Sequence, residues 1–466
     1  MRNKTLGIVI TDGVGYRNFI LSTFLAKAKM SFSQITIFSG LPASAYPELD
    51  EAVFKIVELP VFTENKLNWY WRKAKEVAHL QKYKENPGIK DNLNMNRKKG
   101  WSPNSVLVKS IYAFTRFLHS ENWIEKYERL QEKSFAKSEV VKNYKEFLEE
   151  NPVDLLFFTH QRPPFISALV YCAKALKIPT SAFIFSWDNL ASKGRMAAKF
   201  DYFLVWSDLM KSELLRFYEN VTEDKVSVVG TPQFEPYVLD EFSLEKETFL
   251  RKFGLDPNKK IICYSCADKS IGPNDPLVIK TIAEAVENGV LENCQLLVRT
   301  SPAEDESRFL PTKQAYPSIK WNHPVWHLTR ENHPEPWSQR VATKDDISDL
   351  KSILQFCDIN VNMCSTMSLD FMLYDKAVVN TVFGNKENGL YDDQRFLNYE
   401  HYDNVVKSGA VVIAKTENEL LDALNAYLEN PSLDAENRKK LIDLQIGQPL
   451  EKTTQACVNA LADVIN

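Results

Sequence analysis

Asn360-Val361-Asn362-Met363-Cys364-Ser365-Thr366-Met367-Ser368-Leu369-Asp370-Phe371-Met372-Leu373-Tyr374-Asp375-Lys376-Ala377-Val378-Val379 decides the fold class of this chain. It reads as a strand, a tight turn, a helix, a second turn and another strand. Ser365 and Thr366 fall where the helix starts. Unpaired N–H groups at a helix start, together with the helix dipole, suit a diphosphate. Asp370 lies one turn into the helix, placed to accept from ribose hydroxyls. An ordinary N-cap followed by a first-turn acid explains the same residues.

The same grammar recurs outward in both directions. The chain opens with an apolar strand, Gly7–Ile10, then Thr11-Asp12-Gly13-Val14-Gly15-Tyr16-Arg17-Asn18, read as a loop, then a helical pattern to Lys29 and a strand from Gln34 to Ser39. Further strands are expected at 153–158, 181–185, 202–206 and 226–230, and then at 260–265, 295–299, 359–362, 377–382 and 410–414. Helical segments alternate with them. Continuous apolar strands followed by helices imply parallel sheets covered on both faces. Residues 67–150 read as helical, charged and aromatic, and 321–337 as a loop without periodicity. Pro232 and Pro236 mark a linker, and a helix over 451–465 ends the chain. The expected organisation is an N-terminal lobe over 1–236, a second lobe over 237–445, and 446–466 packing back on the first. Ligands of open α/β sheets sit beyond the carboxyl ends of the strands, so the chemistry is expected in strand-following loops facing an interdomain cleft.

The apolar strand, the Ser-Thr pair at a helix start, the acid in that helix and the following Ala377-Val378-Val379 together resemble the donor segment of GT-B glycosyltransferases. The resemblance covers nearly the whole chain as an order of elements, and a few stretches as motifs. It implies two Rossmann-like lobes, a nucleotide-sugar co-substrate and no further cofactor. It also implies that Asp370 holds the donor ribose. Retaining members often carry a second acid eight residues earlier, where this chain has Asn362; that departure favours inverting transfer or a distinct family. Val228-Val229-Gly230-Thr231 resembles the end of a first lobe beside the cleft. The loop Ser265-Cys266-Ala267-Asp268-Lys269-Ser270 follows the first strand of the second lobe, where the resemblance implies contacts to donor phosphates. Arg299, with Thr300-Ser301-Pro302 after it, matches an Arg-x-x-Pro context, anion-binding or structural. Asp345 and Asp346 begin a helix and either position the nucleotide base or cap it.

Inverting transfer needs a base for the acceptor hydroxyl and stabilisation of the leaving diphosphate. Asp12, in a loop with two glycines and Arg17-Asn18, and His160, beside Gln161 and Arg162, are equal candidates for the base. Asp188, Asn189 and Lys193, in Ser186-Trp187-Asp188-Asn189-Leu190-Ala191-Ser192-Lys193, resemble a segment of bacterial surface-polysaccharide transferases and are read as substrate contacts. Each is equally a loop residue capping a turn. No DxD motif marks a metal, and Asp392-Asp393 reads as a solvated pair.

The bulk numbers agree. Of 466 residues, 44% are hydrophobic and 25% charged, as in globular proteins, and a net charge of −4 gives no field for nucleic acid. Seven cysteines without regular spacing argue against a disulfide framework and for a reducing, cytoplasmic setting. Cys263 and Cys266 form a CxxC inside a strand and read as buried thiols. Over Leu67–Trp101 nine Lys/Arg stand against three acids, with Trp69-Tyr70-Trp71 at its start. Such a stretch suits an anionic membrane face or a lipid-linked acceptor; a solvated helix with a loop is the plainer alternative. Other functions stay open: a nucleotide-sugar 2-epimerase, a glycerophosphotransferase, or a non-catalytic nucleotide-sugar-binding protein.

Overall fold

The computed structural model describes residues 4–50, 52–303, 305–384 and 392–466. The chain divides into two units. The first comprises Met1–Glu235, Leu328–Val341 and Ile446–Asn466; the second comprises Pro236–His327 and Ala342–Gln445.

The first unit holds a seven-stranded sheet of β1 (Thr5–Ile10), β2 (Gln34–Ser39), β3 (Phe54–Glu58), β4 (Leu155–Phe158), β5 (Thr180–Phe183), β6 (Tyr202–Val205) and β7 (Val226–Val228), in the order 3-2-1-4-5-6-7. Every neighbouring pair is parallel. β1, β4 and β5 are buried along almost their whole length, the mark of strands covered on both faces. Phe19, Phe24, Phe157 and Phe183 interlock in this core, with ring centroids 5.1–5.9 Å apart. β3 is an edge strand of five residues that the sequence reading passes over, because Phe-Lys-Ile-Val-Glu is too short and polar to stand out. Helices Lys66–Lys82, Pro87–Met95, Pro103–Thr115, Glu121–Lys133 and Glu139–Glu150 fill the span between β3 and β4.

The second unit holds a six-stranded parallel sheet. Its strands are β8 (Lys260–Ser265), β9 (Cys294–Arg299), β10 (Lys320–Asn322), and, after β11 (Trp326–Leu328) and β12 (Arg340–Ala342), β13 (Ile359–Asn362), β14 (Ala377–Thr381) and β15 (Val412–Ala414). The order is 10-9-8-13-14-15. Its core joins Ile262, Tyr264, Val298 and Val361 to Ile279, Ile282, Leu420 and Leu424 from helices Asp275–Glu287 and Glu417–Glu429.

Three sequence expectations change. Leu328–Val341, placed by the sequence reading in the second lobe, belongs to the first unit. Two short strands, Lys320–Asn322 and Trp326–Leu328, interrupt the start of the expected loop over 321–337. Residues 13–18 are not a loop. A helix runs Gly13–Phe19, because Asp12 caps it and offsets a glycine cost of about 1 kcal/mol per residue.

In both sheets the strand order reverses once, between β1 and β4 and between β8 and β13. Connections leave such a point in opposite directions and open a crevice at the carboxyl ends of the two strands. The residues following these four strands are therefore where each unit can receive a ligand.

Candidate active site

Asp12 follows β1 and His160 follows β4, so the reversal brings together two residues 148 positions apart. His160 Nδ1 lies 2.8 Å from Asp12 Oδ2. The other lone pairs of Asp12 are also engaged. Thr11 Oγ1 donates to Oδ2 at 2.9 Å, and the Val14 and Gly15 amides donate to Oδ1 at 3.0 and 2.8 Å. Asp12 is fully buried. Burial raises its pKa, but the His160 hydrogen bond and charge, with the Gly15 amide and Thr11 hydroxyl, outweigh it and leave the carboxyl below its ordinary range. An ionised carboxylate only accepts, so Nδ1 carries a proton, and in the neutral imidazole Nε2 is the acceptor. Among the described residues no hydrogen-bond partner engages Nε2, and the side chain keeps 8% of its surface.

The imidazole is held by Asp12 on its edge and by Phe185 on its face. The Phe185 ring stacks on it at 3.9 Å and 20°. Gln161 accepts from the Phe185 amide at 3.1 Å and donates to Asn189 Oδ1 at 2.9 Å. Asn189 in turn donates to Asp188 Oδ1, and Lys193 pairs with Asp188 Oδ2 at 3.2 Å. The segment after β5 thus braces the base candidate. Phe185 and Gln161 were not singled out from sequence; the only signal was their place after parallel strands.

The two glycines serve packing. A Cβ at Gly13 would lie 1.6 Å from the Arg340 carbonyl oxygen, and one at Gly15 2.7 Å from Thr159 Oγ1. Protein, not ligand, fills the space they leave. Arg17 and Asn18 are both buried on this helix, and Arg17 donates to Asn18 Oδ1 at 3.3 Å. Among the described residues no carboxylate lies within ion-pair distance of Arg17. Thr231 is also in the first unit, buried, its hydroxyl accepting from the Gln233 amide at 3.3 Å.

In the second unit a buried neutral network spans the reversal between β8 and β13. Asn360 donates to Ser265 Oγ at 2.8 Å, Asn362 to Asn360 Oδ1 at 2.6 Å, and Asn380 to Asn362 Oδ1 at 3.0 Å. Tyr402 donates to Asn380 Oδ1 at 2.7 Å. Asn362 Oδ1 also accepts from the Ser365 amide at 2.9 Å, and Ser365 Oγ from the Met367 amide at 3.3 Å. Two of the N–H groups expected to be unpaired at the helix start are therefore occupied. The helix itself spans only Met367–Met372. Cys364 before it adopts φ +47°, and Ser365 and Thr366 stay half-exposed. Asp370 is buried and accepts from the Tyr237 hydroxyl. A carboxylate has about four acceptor sites, so a ribose hydroxyl is compatible with that bond.

Arg299 is committed to the protein. It makes a two-pronged pair with Asp346 at 3.0 and 3.1 Å and donates to Asn322 Oδ1. Asp346 also accepts from Trp326 Nε1 at 2.9 Å, so both residues tie β9 to the helix Lys344–Phe356. The loop after β8 carries exposed Lys269 and Ser270, Ser270 donating to Asp268 Oδ1. Asp275, which sequence reading passed over, anchors that loop. It accepts from Tyr264 at 2.7 Å, the Ala267 amide at 3.0 Å and Arg308 at 2.9 Å. Burial pushes its carboxyl up to about 7 against the pull of Arg308 and Tyr264.

All seven cysteines are free thiols. Among the described residues no group of three or more His, Cys, Asp or Glu could hold a metal, and no helix is long and apolar enough to cross a membrane. The side chains of Asp392 and Asp393 lie outside the described residues.

No protein-family profile matches the sequence, and no curated protein matches it. Solved structures do match. A glycosyltransferase from Rickettsia africae aligns over 100% of both chains at 12% identity, TM-score 0.53. An S. aureus MnaA–UDP complex aligns over 98% of this chain and 95% of its own at 10% identity, TM-score 0.52. A UDP-GlcNAc 2-epimerase from Neisseria meningitidis bound to UDP-GlcNAc aligns over 99% and 100% at 10% identity, TM-score 0.51. At such identities the likeness is one of fold.

Proposed function

We propose that this chain, whose fold is GT-B, is a glycosyltransferase that moves a sugar from a nucleotide sugar onto a hydroxyl of a glycan or lipid-linked acceptor. The observation that carries the reading is the buried Asp12–His160 pair at the reversal of the first sheet. A neutral imidazole with Nδ1–H fixed by a carboxylate is built to take a proton at Nε2. In the step, Nε2 takes the acceptor hydroxyl proton and the oxygen bonds to the anomeric carbon. The bond from that carbon to the diphosphate breaks, and its electron pair leaves with the diphosphate. Asp12 is then the orienting residue rather than the base. Arg17, buried with no carboxylate at ion-pair distance among the described residues, is the cation offered to the substrate in this unit, with Asn18 beside it.

On the second unit, the hydroxyls of Ser365 and Thr366 with Lys269 and Ser270 are assigned to the diphosphate and Asp370 to the ribose. Ser265 and Asn362 hold the strand ends beneath them. Arg299 is reassigned from donor contact to support, since both its terminal nitrogens are engaged by Asp346 and Asn322. No cofactor beyond the nucleotide sugar is part of the proposal, and seven free thiols fit a cytoplasmic setting.

Epimerisation of a nucleotide sugar is the second reading, favoured by the fold shared with the UDP-GlcNAc 2-epimerase. The test is turnover of UDP-, GDP-, CDP- and dTDP-sugars with and without glycan or lipid-linked acceptors. Nucleoside diphosphate released in step with a glycosylated acceptor, and lost in His160→Ala, supports transfer. A new nucleotide sugar formed without acceptor replaces it with epimerisation.

A further inference from the structure

The helices between β3 and β4 carry a groove that the reaction does not use. It encloses about 780 Å³ and is lined by six cations, Lys84, Lys90, Arg97, Lys98, Lys109 and Arg116, against one carboxylate, Glu85. Among the described residues none of the six forms an ion pair. A chain with net charge −4 thus concentrates five uncompensated positive charges in one concavity.

The same helices and their connections carry exposed apolar side chains. Trp101 is 84% exposed and Phe117 79%, with Met95 at 67% and Leu107 at 37%. Two of these are tied to the groove's own cations. Lys109 Nζ sits 4.0 Å from the Trp101 ring and Arg116 lies 6.0 Å from that of Phe117. Large aromatic side chains left in water beside unpaired lysines and arginines match the chemistry of a bilayer interface, where rings enter the headgroup layer and cations meet phosphates. A soluble polyphosphate, which has no apolar or stacking surface, would use the charges and leave the rings without a partner.

We propose that this groove and these side chains dock on the surface of an anionic phospholipid bilayer, phosphate headgroups entering the groove and Trp101 and Phe117 entering the interface. Each cation near such a surface is worth about a factor of five in binding. The full chain is mixed with phosphatidylglycerol or phosphatidylcholine vesicles and sedimented. Binding to the anionic vesicles alone is expected. It weakens at high salt, where the Debye length falls from ~10 Å at 0.1 M to ~3 Å at 1 M. The double variant Arg97→Gln with Lys98→Gln, both exposed side chains, binds about 30-fold more weakly with unchanged melting. Trp101→Ala, at a side chain 84% exposed, weakens binding to the anionic vesicles and leaves melting as it was. Equal binding to both vesicle types, a double variant that binds like wild type, or retention of soluble polyphosphate without vesicles overturns the proposal.

Discussion

Replacing Asp12 by Asn changes one atom and reverses one hydrogen bond. The remaining carbonyl oxygen can still accept from the Val14 and Gly15 amides, as Oδ1 does now at 3.0 and 2.8 Å, so the helix cap survives. The new amide, however, faces His160 Nδ1, which sits 2.8 Å from Oδ2. An amide NH₂ only donates, so Nδ1 must accept and the ring proton moves to Nε2. The base is then protonated where it must be bare. A positioned base contributes about 10²–10⁴-fold, and that is the loss expected in kcat, with KM for the nucleotide sugar little changed. Stability should fall by only about 1.5–3 kcal/mol, the worth of a hydrogen bond to a charged group. The variant also loses an acid-side dependence. The Asp12 carboxyl titrates below 3.8 when folded, so its stabilisation is present above that pH and vanishes as the pH falls through the folded value. Initial rates at saturating acceptor, with melting curves for the same preparations, decide the matter. An Asp12→Asn enzyme within about threefold of wild-type kcat would refute the dyad, since general-base loss cannot be that small.

Three further outcomes follow from the packing. Gly13→Ala gains about 1 kcal/mol of helix propensity but drives a Cβ to 1.6 Å from the Arg340 carbonyl, a clash worth about 3 kcal/mol, so a net loss of about 2 kcal/mol is expected as a lowered melting temperature. Arg299→Met strands Asp346 as a buried charge and should cost about 3–5 kcal/mol; lost nucleotide affinity with unchanged melting would return Arg299 to the donor site. Asp275 has a folded pKa of about 7 against an ordinary 3.8, so its contribution to stability is largest below pH 3.8 and declines as the pH rises to 7. Asp275→Asn mimics the protonated form, and its melting temperature should gain on wild type across that window.

Much of the fold was legible in local pattern. The continuous apolar runs of β1, β4 and β8 announced buried parallel strands, and the helix after Ser365-Thr366 was read near its observed start. Strand order was not legible, because pairing across a sheet is set by contacts far apart in sequence. Nothing local to Asp12 reveals that β4 lies beside β1, so Asp12 and His160 stood as rivals rather than partners. Arg299 looked free for the same reason: Asp346, which binds it, is 47 residues away. The glycines at 13 and 15 were read as letting backbone approach a ligand; the Arg340 carbonyl and the Thr159 side chain fill that space instead, and Arg340 lies in a segment far from them in sequence.

The claim on which the functional reading rests is that the segment from Ser365 to Asp370 receives a nucleotide sugar. Thermal shift with UDP-, GDP-, CDP- and dTDP-sugars on wild type and Asp370→Ala tests it directly. The account predicts that one nucleotide class raises the wild-type melting temperature, equivalent to about 2.7 kcal/mol at a hundredfold excess over Kd, and that Asp370→Ala loses the shift. A wild type that responds to none of them, or a variant that responds equally, would contradict it.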